Sequence, residues 1–258
     1  MEMEVEKEKN AIRERMGNES WLDIRTLPFY LIADADVFQR IWDLHPATSS
    51  QVMIVGKLVT IPRYQQSYLR DYKFSGVEAK AIPLPAVLED YLTWANGLGY
   101  GVFNQFLVNW YQDGNNYIGS HADSEAQLVA NSPVMTITLC QPSEADKKGN
   151  TAKPVLRKFR IRDNEKNIVK DIETANGSVI VMGGAFQKEF KHEIVKITGK
   201  KAEEVGPRIS ITLRQFKEDK KGKGVSSLFP CAVCLHDTSL VDPESKMFFC
   251  GSACYDDQ

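Results

Sequence analysis

The sequence predicts a mainly β protein of the α+β class: a double-sheet jelly roll (a double-stranded β-helix) with flanking helices and a small cysteine-rich appendage. Three observations carry that prediction. From residue 102 onward, eight strand-like runs follow one another with no helical period between them. Two helical patterns precede the runs and none interrupts them. Four of the five cysteines crowd into the last 28 residues, behind a polar stretch rich in Lys and Gly.

The elements are justified in chain order. The opening residues, "MEMEVEKEKNAIRERM", carry both charge signs, so residues 1–20 read as a charged tail or solvated helix. "DADVFQRIWDLH" has an Asp placed to cap a helix and apolar residues at helical spacing. "QVMIVGKLVTIPRY" reads as two short strands around Gly56. "LPAVLEDYLTWANGLG" reads as a helix whose Val87, Leu88, Tyr91, Leu92 and Trp94 suit packing on a sheet. The eight runs are "VFNQFLVNWY", "YIGSHAD", "VMTITLC", "RKFRIRD", "NIVKDIE", "GSVIVMG", "KHEIVKI" and "RISITLRQF", parted by turn-rich pieces such as "QDGNN" and "TANG". The resulting division is a roll over residues 21–217, a linker over 218–228 ("KEDKKGKGVSS" at its heart), and a four-cysteine segment over 229–258.

Composition narrows the class. A hydrophobic share of 43% and a charged share of 26% are those of an ordinary globular protein. Apolar runs such as "GSVIVMGGAF" are too short to cross a bilayer, and the N-terminus lacks a signal core, so an intracellular monomer without membrane contact is expected. A net charge of -2 gives no global pull toward nucleic acid. Any such contact would come from local patches, of which residues 147–170, with nine Lys/Arg against Asp163 and Glu165, form the densest. The alternative for that run is a solvated face. Cys140, alone in an apolar strand, reads as a buried inert thiol.

"YIGSHADSE" holds the first candidate site. With 4 histidines and 34 acids in the chain, one His-x-Asp pair is common by chance. His192 follows in a later strand of the same roll. Two imidazoles and one carboxylate can occupy one face of Fe(II) and leave positions open, and a set without thiolate suits iron over structural zinc. "GPRISITLRQF" then places Arg208 and Arg214 six apart, hence on one face of a strand, with Ile209, Ile211 and Leu213 on the other. Two guanidinium groups inside a roll are costly without an anion, and a dicarboxylate held bidentately supplies one.

These residues resemble the AlkB-like dioxygenases, in particular the members that repair alkylated bases. The resemblance runs from about Ile61 to Phe216, through "IPRYQQSY", "DYKFSG", "FNQFLVNWYQDGNNYIGSHADSE", "GSVIVMGGAFQKEFKHEIVKI" and "PRISITLRQF". It implies that His121, Asp123 and His192 are the catalytic iron ligands. It implies that Asn109, Tyr111, Arg208 and Arg214 hold 2-oxoglutarate, with O2 as the other co-substrate. Tyr72 and Phe74 match positions that line a base pocket, Glu125 an acid that contacts the base, and Arg63 a nucleotide-facing segment. The implied reaction is oxidative demethylation of an alkylated nucleobase in DNA, with release of formaldehyde, succinate and CO2. RNA or a protein side chain is the alternative substrate, and an inactive nucleic-acid-binding relative the alternative class. Phe190, where the family often has an indole, and "TLCQ" depart from the pattern without touching a ligand.

The C-terminal cysteines form a separate pattern. Cys231-x2-Cys234 and Cys250-x3-Cys254 stand fifteen residues apart, the spacing of a four-thiolate structural Zn(II) site. A segment of this length folds largely on its metal. It would bind nucleic acid or a protein partner. Disulfides are the alternative.

Overall fold

The computed structural model describes residues 12–54, 56–74, 76–142 and 155–218, with the backbone of Leu240–Val241 and Phe248–Phe249. The elements run β1 (Ile12–Arg15), β2 (Ser20–Thr26), α1 (Ala35–Trp42), β3 (Gln51–Ile54), β4 (Lys57–Thr60), β5 (Tyr64–Tyr68), β6 (Tyr72–Phe74), β7 (Val77–Ala79) and β8 (Ala81–Ile82). Then follow α2 (Ala86–Gly97), β9 (Gln105–Tyr111), β10 (Ile118–His121), β11 (Val134–Cys140), β12 (Arg157–Asp163), β13 (Ile168–Thr174) and β14 (Ser178–Gly184). A one-turn helix, α3 (Phe186–Glu189), leads into β15 (Phe190–Ile194), and β16 (Arg208–Arg214) completes the roll.

An eight-stranded sheet has the order β1-β2-β14-β11-β16-β9-β5-β8, and a four-stranded sheet the order β10-β15-β12-β13. Period-2 alternation gives the large sheet two buried faces. On β16, Ile209, Ile211 and Leu213 join one core with Phe106, Val108 and Trp110 of β9 and with Phe38, Ile41, Leu88 and Leu92 of the helices. On the opposite face Leu107, Ile180 and Met182 meet Phe159, Ile161 and Ile194 of the small sheet. The result is three layers (helices, large sheet, small sheet), with the mouth of the roll between the sheets.

Asp34 caps α1 as its position suggested, its Oδ1 accepting the Val37 N–H at 2.9 Å. Both helices and all eight strand runs are present where the sequence placed them. The N-terminal reading needs correction. From Ile12 the chain is not a tail or helix: β1 is the outer strand of the large sheet, paired with β2. Arg13 there donates to both oxygens of Asp23 and lies 3.8 Å over the Trp21 ring, and Lys170 pairs with Glu14 at 2.9 Å. An edge strand tolerates charge because charge discourages further pairing, so the signal that suggested a solvated segment also suits an edge. Residues 1–11 and the four cysteines Cys231, Cys234, Cys250 and Cys254 lie outside the described residues. Of the segment 229–258, only a two-residue ladder between Leu240–Val241 and Phe248–Phe249 is described.

The basic run is largely committed to the fold. Arg157 is buried, Lys158 and Arg160 both bind Asp171, Arg162 binds Glu193, and Lys170 binds Glu14. Lys147, Lys148 and Lys153 lie outside the described residues. No helix among the described residues is long and apolar enough to cross a membrane.

Candidate metal centre

Register creates the centre. β10 pairs antiparallel with β15 so that His121 stands opposite His192, after an irregularity that follows Ile118. Along β15 the pattern alternates, with Phe190, His192 and Ile194 inward and Lys191 and Glu193 half-exposed. Asp123 follows two residues after His121 on the turn leaving β10. One ligand atom from each of His121, Asp123 and His192 lies within 4.8 Å of the others. The two imidazole centroids are 4.3 Å apart.

Each ligand is held by a neighbour. The His121 Nδ1 sits 2.9 Å from the Gly119 carbonyl; as donor to that oxygen it leaves the Nε2 lone pair for a metal. The Asp123 carboxylate accepts from Arg214 Nε at 3.1 Å and Nη2 at 2.9 Å, and its backbone N–H donates to Gln187 Oε1 at 2.8 Å. Arg214 Nη1 in turn donates to Gln105 Oε1 at 3.0 Å. Phe159 stacks on His192 at 5.3 Å with 12° between planes.

Electrostatics prepares the set for a cation. Burial opposes ionisation of Asp123, but Arg214 together with His192 and His121 outweighs it and holds the carboxyl far below the ordinary range. Burial pushes His192 down to about 3, with His121 adding to the effect, and burial also lowers His121. At neutral pH the centre is therefore one anion and two neutral imidazoles, the protonation state that a metal requires. His192 Nδ1 is buried with no hydrogen-bond partner among the described residues. Two nitrogens and one oxygen, preorganised and unprotonated, fit Fe(II).

A cavity of about 880 Å³ opens onto this centre. Asn109 and Tyr111 from β9, Ser210 and Thr212 from β16, and Arg63 from the approach to β5 share its wall with the three ligands. Arg208 is 1% exposed, its guanidinium 5.2 Å from the Tyr111 ring. Its Nη2 donates to Thr138 Oγ1 at 2.8 Å, while Nε and Nη1 are buried without a partner among the described residues. Open donors on a buried cation fit a carboxylate ligand.

The two arginines thus do different work. Arg208 has donors to spare, whereas Arg214 is engaged by Asp123 and Gln105. Arg63 is buried in the cavity wall: it donates to Asn109 Oδ1 at 2.9 Å and the Tyr117 carbonyl at 3.2 Å, and burial lowers its pKa. Tyr72 and Phe74 stack at 5.3 Å in the cavity wall, and the Tyr72 hydroxyl lies 3.3 Å from Asp123 Oδ1. Burial pushes the Tyr72 phenol up to about 12, so it donates to that carboxylate. Glu125 is not brought to the cavity. It is exposed, 3.9 Å from Lys188, beside a separate groove. The turn after Asp123 carries the chain away from the mouth, which two-residue spacing could not reveal. Gln187 and Gln105 were missed. Gln105 shares the period-2 face of Leu107, Asn109 and Tyr111, so strand spacing could have found it; Gln187 becomes visible only in three dimensions. Cys140 is half-buried and unpaired among the described residues, with its thiol pushed up by burial.

The chain is similar to several known proteins. The chain is 28% identical to the DNA oxidative demethylase ALKBH2 of Homo sapiens over 177 residues, which cover 67% of this chain and 63% of that protein. It is 27% identical to the Bos taurus ALKBH2 over 65% of this chain and 58% of the relative, so the match spans less than two thirds of either protein's length. Among solved structures, OsALKBH1 aligns with a TM-score of 0.46 at 15% identity, over 78% of this chain and 100% of that one. A Pseudomonas putida prolyl-4-hydroxylase aligns with a TM-score of 0.44 at 13% identity, over 76% and 92%. The 2OG-Fe(II) oxygenase superfamily model matches residues 43–214, a span that holds all three metal-ligand residues and both arginines, and the chain belongs to that superfamily.

Proposed function

We propose that the protein is an Fe(II)- and 2-oxoglutarate-dependent dioxygenase that demethylates alkylated bases in DNA. The observation that carries the proposal is the convergence of His121, Asp123 and His192 within 4.8 Å on the wall of a cavity large enough for a base. His121, Asp123 and His192 would hold the iron, and Arg208, Asn109 and Tyr111 the co-substrate, with Arg214 keeping Asp123 ionised and oriented. Iron bound there, with 2-oxoglutarate and O2, supplies oxidation of a carbon–hydrogen bond, and a hydroxylated N-methyl group then leaves as formaldehyde.

The chain's own residues do the rest. A base in a duplex must leave the stack to enter the cavity, and the apposed rings of Tyr72 and Phe74 offer it a surface that replaces part of the lost stacking. Tyr72, held by Asp123 and lying under Arg214 (4.4 Å to the ring centroid), is fixed rather than adaptable. The resemblance to DNA demethylases supports DNA as substrate. We extend the proposal to a four-thiolate Zn(II) site at Cys231, Cys234, Cys250 and Cys254 that engages nucleic acid or a protein partner, and to a monomer in an intracellular, thiol-reducing setting.

Formaldehyde release is the test, measured with Fe(II) and 2-oxoglutarate on methylated single- and double-stranded DNA, on methylated RNA and on methylated peptide. Release from DNA that is absent in His121→Ala, Asp123→Ala and His192→Ala is the expected result. Release from RNA or peptide alone would replace the substrate. Iron-loaded protein that never converts 2-oxoglutarate to succinate would leave a binding protein.

A further inference from the structure

Arg157 is 2% exposed and forms no ion pair with a carboxylate among the described residues, Asp113 being the acid whose charge it feels. Its guanidinium donates to three backbone carbonyls, Asp113 at 3.0 Å, Asn116 at 2.7 Å and Val195 at 2.9 Å, while its Nε is buried without a partner among the described residues. The guanidinium lies 5.9 Å from the Tyr111 ring, the ring that Arg208 approaches to 5.2 Å. Two buried cations therefore crowd one aromatic residue of the cavity wall. Burial holds the Arg157 pKa down to about 10, and repulsion from Arg208 adds to that.

Tying three carbonyls together uses three guanidinium N–H groups but makes no use of the net charge. A full charge buried beside a like charge is costly unless an anion is near. Given the co-substrate reading of the cavity, on which this inference rests, the Tyr111 end is where an anion would come, because Tyr111 lines the cavity and Arg208, beside its ring, has donors without a partner among the described residues.

We infer that Arg157 is a specificity-determining positioning residue. Its charge, acting through the field at Tyr111 and Arg208 rather than by contact, makes the cavity prefer a 2-oxo acid with a second, distal carboxylate over one with a neutral tail. Its carbonyl bonds to the turn at 113–116, just ahead of β10, give that charge a fixed position.

The experiment measures calorimetric dissociation constants of the full chain loaded with Mn(II), for 2-oxoglutarate and for 2-oxopentanoate, which has the same chain length without the distal carboxylate. In Arg157→Gln, 2-oxoglutarate should weaken by about tenfold or more while 2-oxopentanoate shifts by less than about twofold. Arg157→Lys keeps a charge whose pKa is depressed by burial. Its preference for the diacid should hold near pH 6 and fade as the pH rises toward about 9, while wild type stays flat. Among the described residues the groups facing position 157 are Arg208, Tyr111, Asp113 and Cys140, and the wild-type profile controls for all of them. Equal weakening of both acids in a folded Gln variant, or unchanged preference, overturns the inference. If that variant fails to fold, a Lys variant that has lost the preference near pH 6, where its charge is kept, overturns it. Wild type that shows no preference for 2-oxoglutarate refutes the co-substrate reading itself.

Discussion

Asp123 has more fixed neighbours than any other residue of the centre. Arg214 takes both carboxylate oxygens, Tyr72 approaches one of them, and Gln187 accepts the backbone N–H. Such outer contacts typically govern metal affinity by roughly tenfold or more, so Gln187→Ala should weaken Fe(II) binding on that scale while leaving the melting temperature close to wild type; metal titration would check it. Arg208 faces the opposite situation, with donors awaiting a partner. Arg208→Ala should raise the 2-oxoglutarate requirement by about 30-fold, the equivalent of roughly 2 kcal/mol for a lost charge-assisted contact. An unchanged requirement in succinate assays would leave Arg208 a purely structural role. At this scale the sequence disclosed the residues with strong chemistry. His121, Asp123, His192, Arg208 and Arg214 were all legible because imidazole, carboxylate and guanidinium are expensive inside a roll. Gln187 and Gln105 were not, since an amide is cheap anywhere on a surface.

At the scale of elements, alternation was the readable signal. On β16 it separated Ile209, Ile211 and Leu213 from Ser210, Thr212 and Arg214, and the structure keeps that separation, with one set against the helices and the other in the cavity. Charge was the misleading signal at β1, which uses Arg and Glu as strand residues, whereas β12 was legible as a strand despite its charge. On β12, Lys158 and Arg160 reach across to Asp171 of β13 at 3.1 and 2.6 Å. The Arg160 hydrogen bond and Lys158 hold the Asp171 carboxyl at about 2, below its unfolded value. A depressed carboxylate stabilises the fold above its unfolded pKa, near 4, and loses that contribution as pH falls through about 2. Thermal melts of wild type and Asp171→Asn should therefore converge between about pH 4 and pH 2 and stay apart by a small, constant amount from about pH 5 to 8. Parallel curves down to pH 2 would mean the pair is neutral in the fold.

For the whole molecule, the layers place the small sheet that carries His121 and His192 over a large sheet whose far side is sealed by α1 and α2. The strands that build this sandwich end at Arg214, and Phe216 closes it by packing near Tyr72 at 6.0 Å. Removing residues 222–258 should accordingly leave a folded roll that still converts 2-oxoglutarate, with one equivalent of zinc lost from the elemental analysis and affinity for long DNA reduced. A truncated chain that is insoluble, or a full-length protein free of zinc, would refute an independent C-terminal module.

The sequence by itself determined the class of fold, the order of its eight later strands, both helices and the cluster of His121, Asp123 and His192. Each depends on period or on the cost of burial, which are local properties. Only the tertiary structure decided that Glu125 leaves the cavity, that Arg214 serves Asp123 while Arg208 keeps open donors, that Arg63 turns inward to Asn109, and that Arg157 stands beside Tyr111. Those outcomes depend on register between strands far apart in the chain, and a one-residue slip in register would send each side chain to the opposite face.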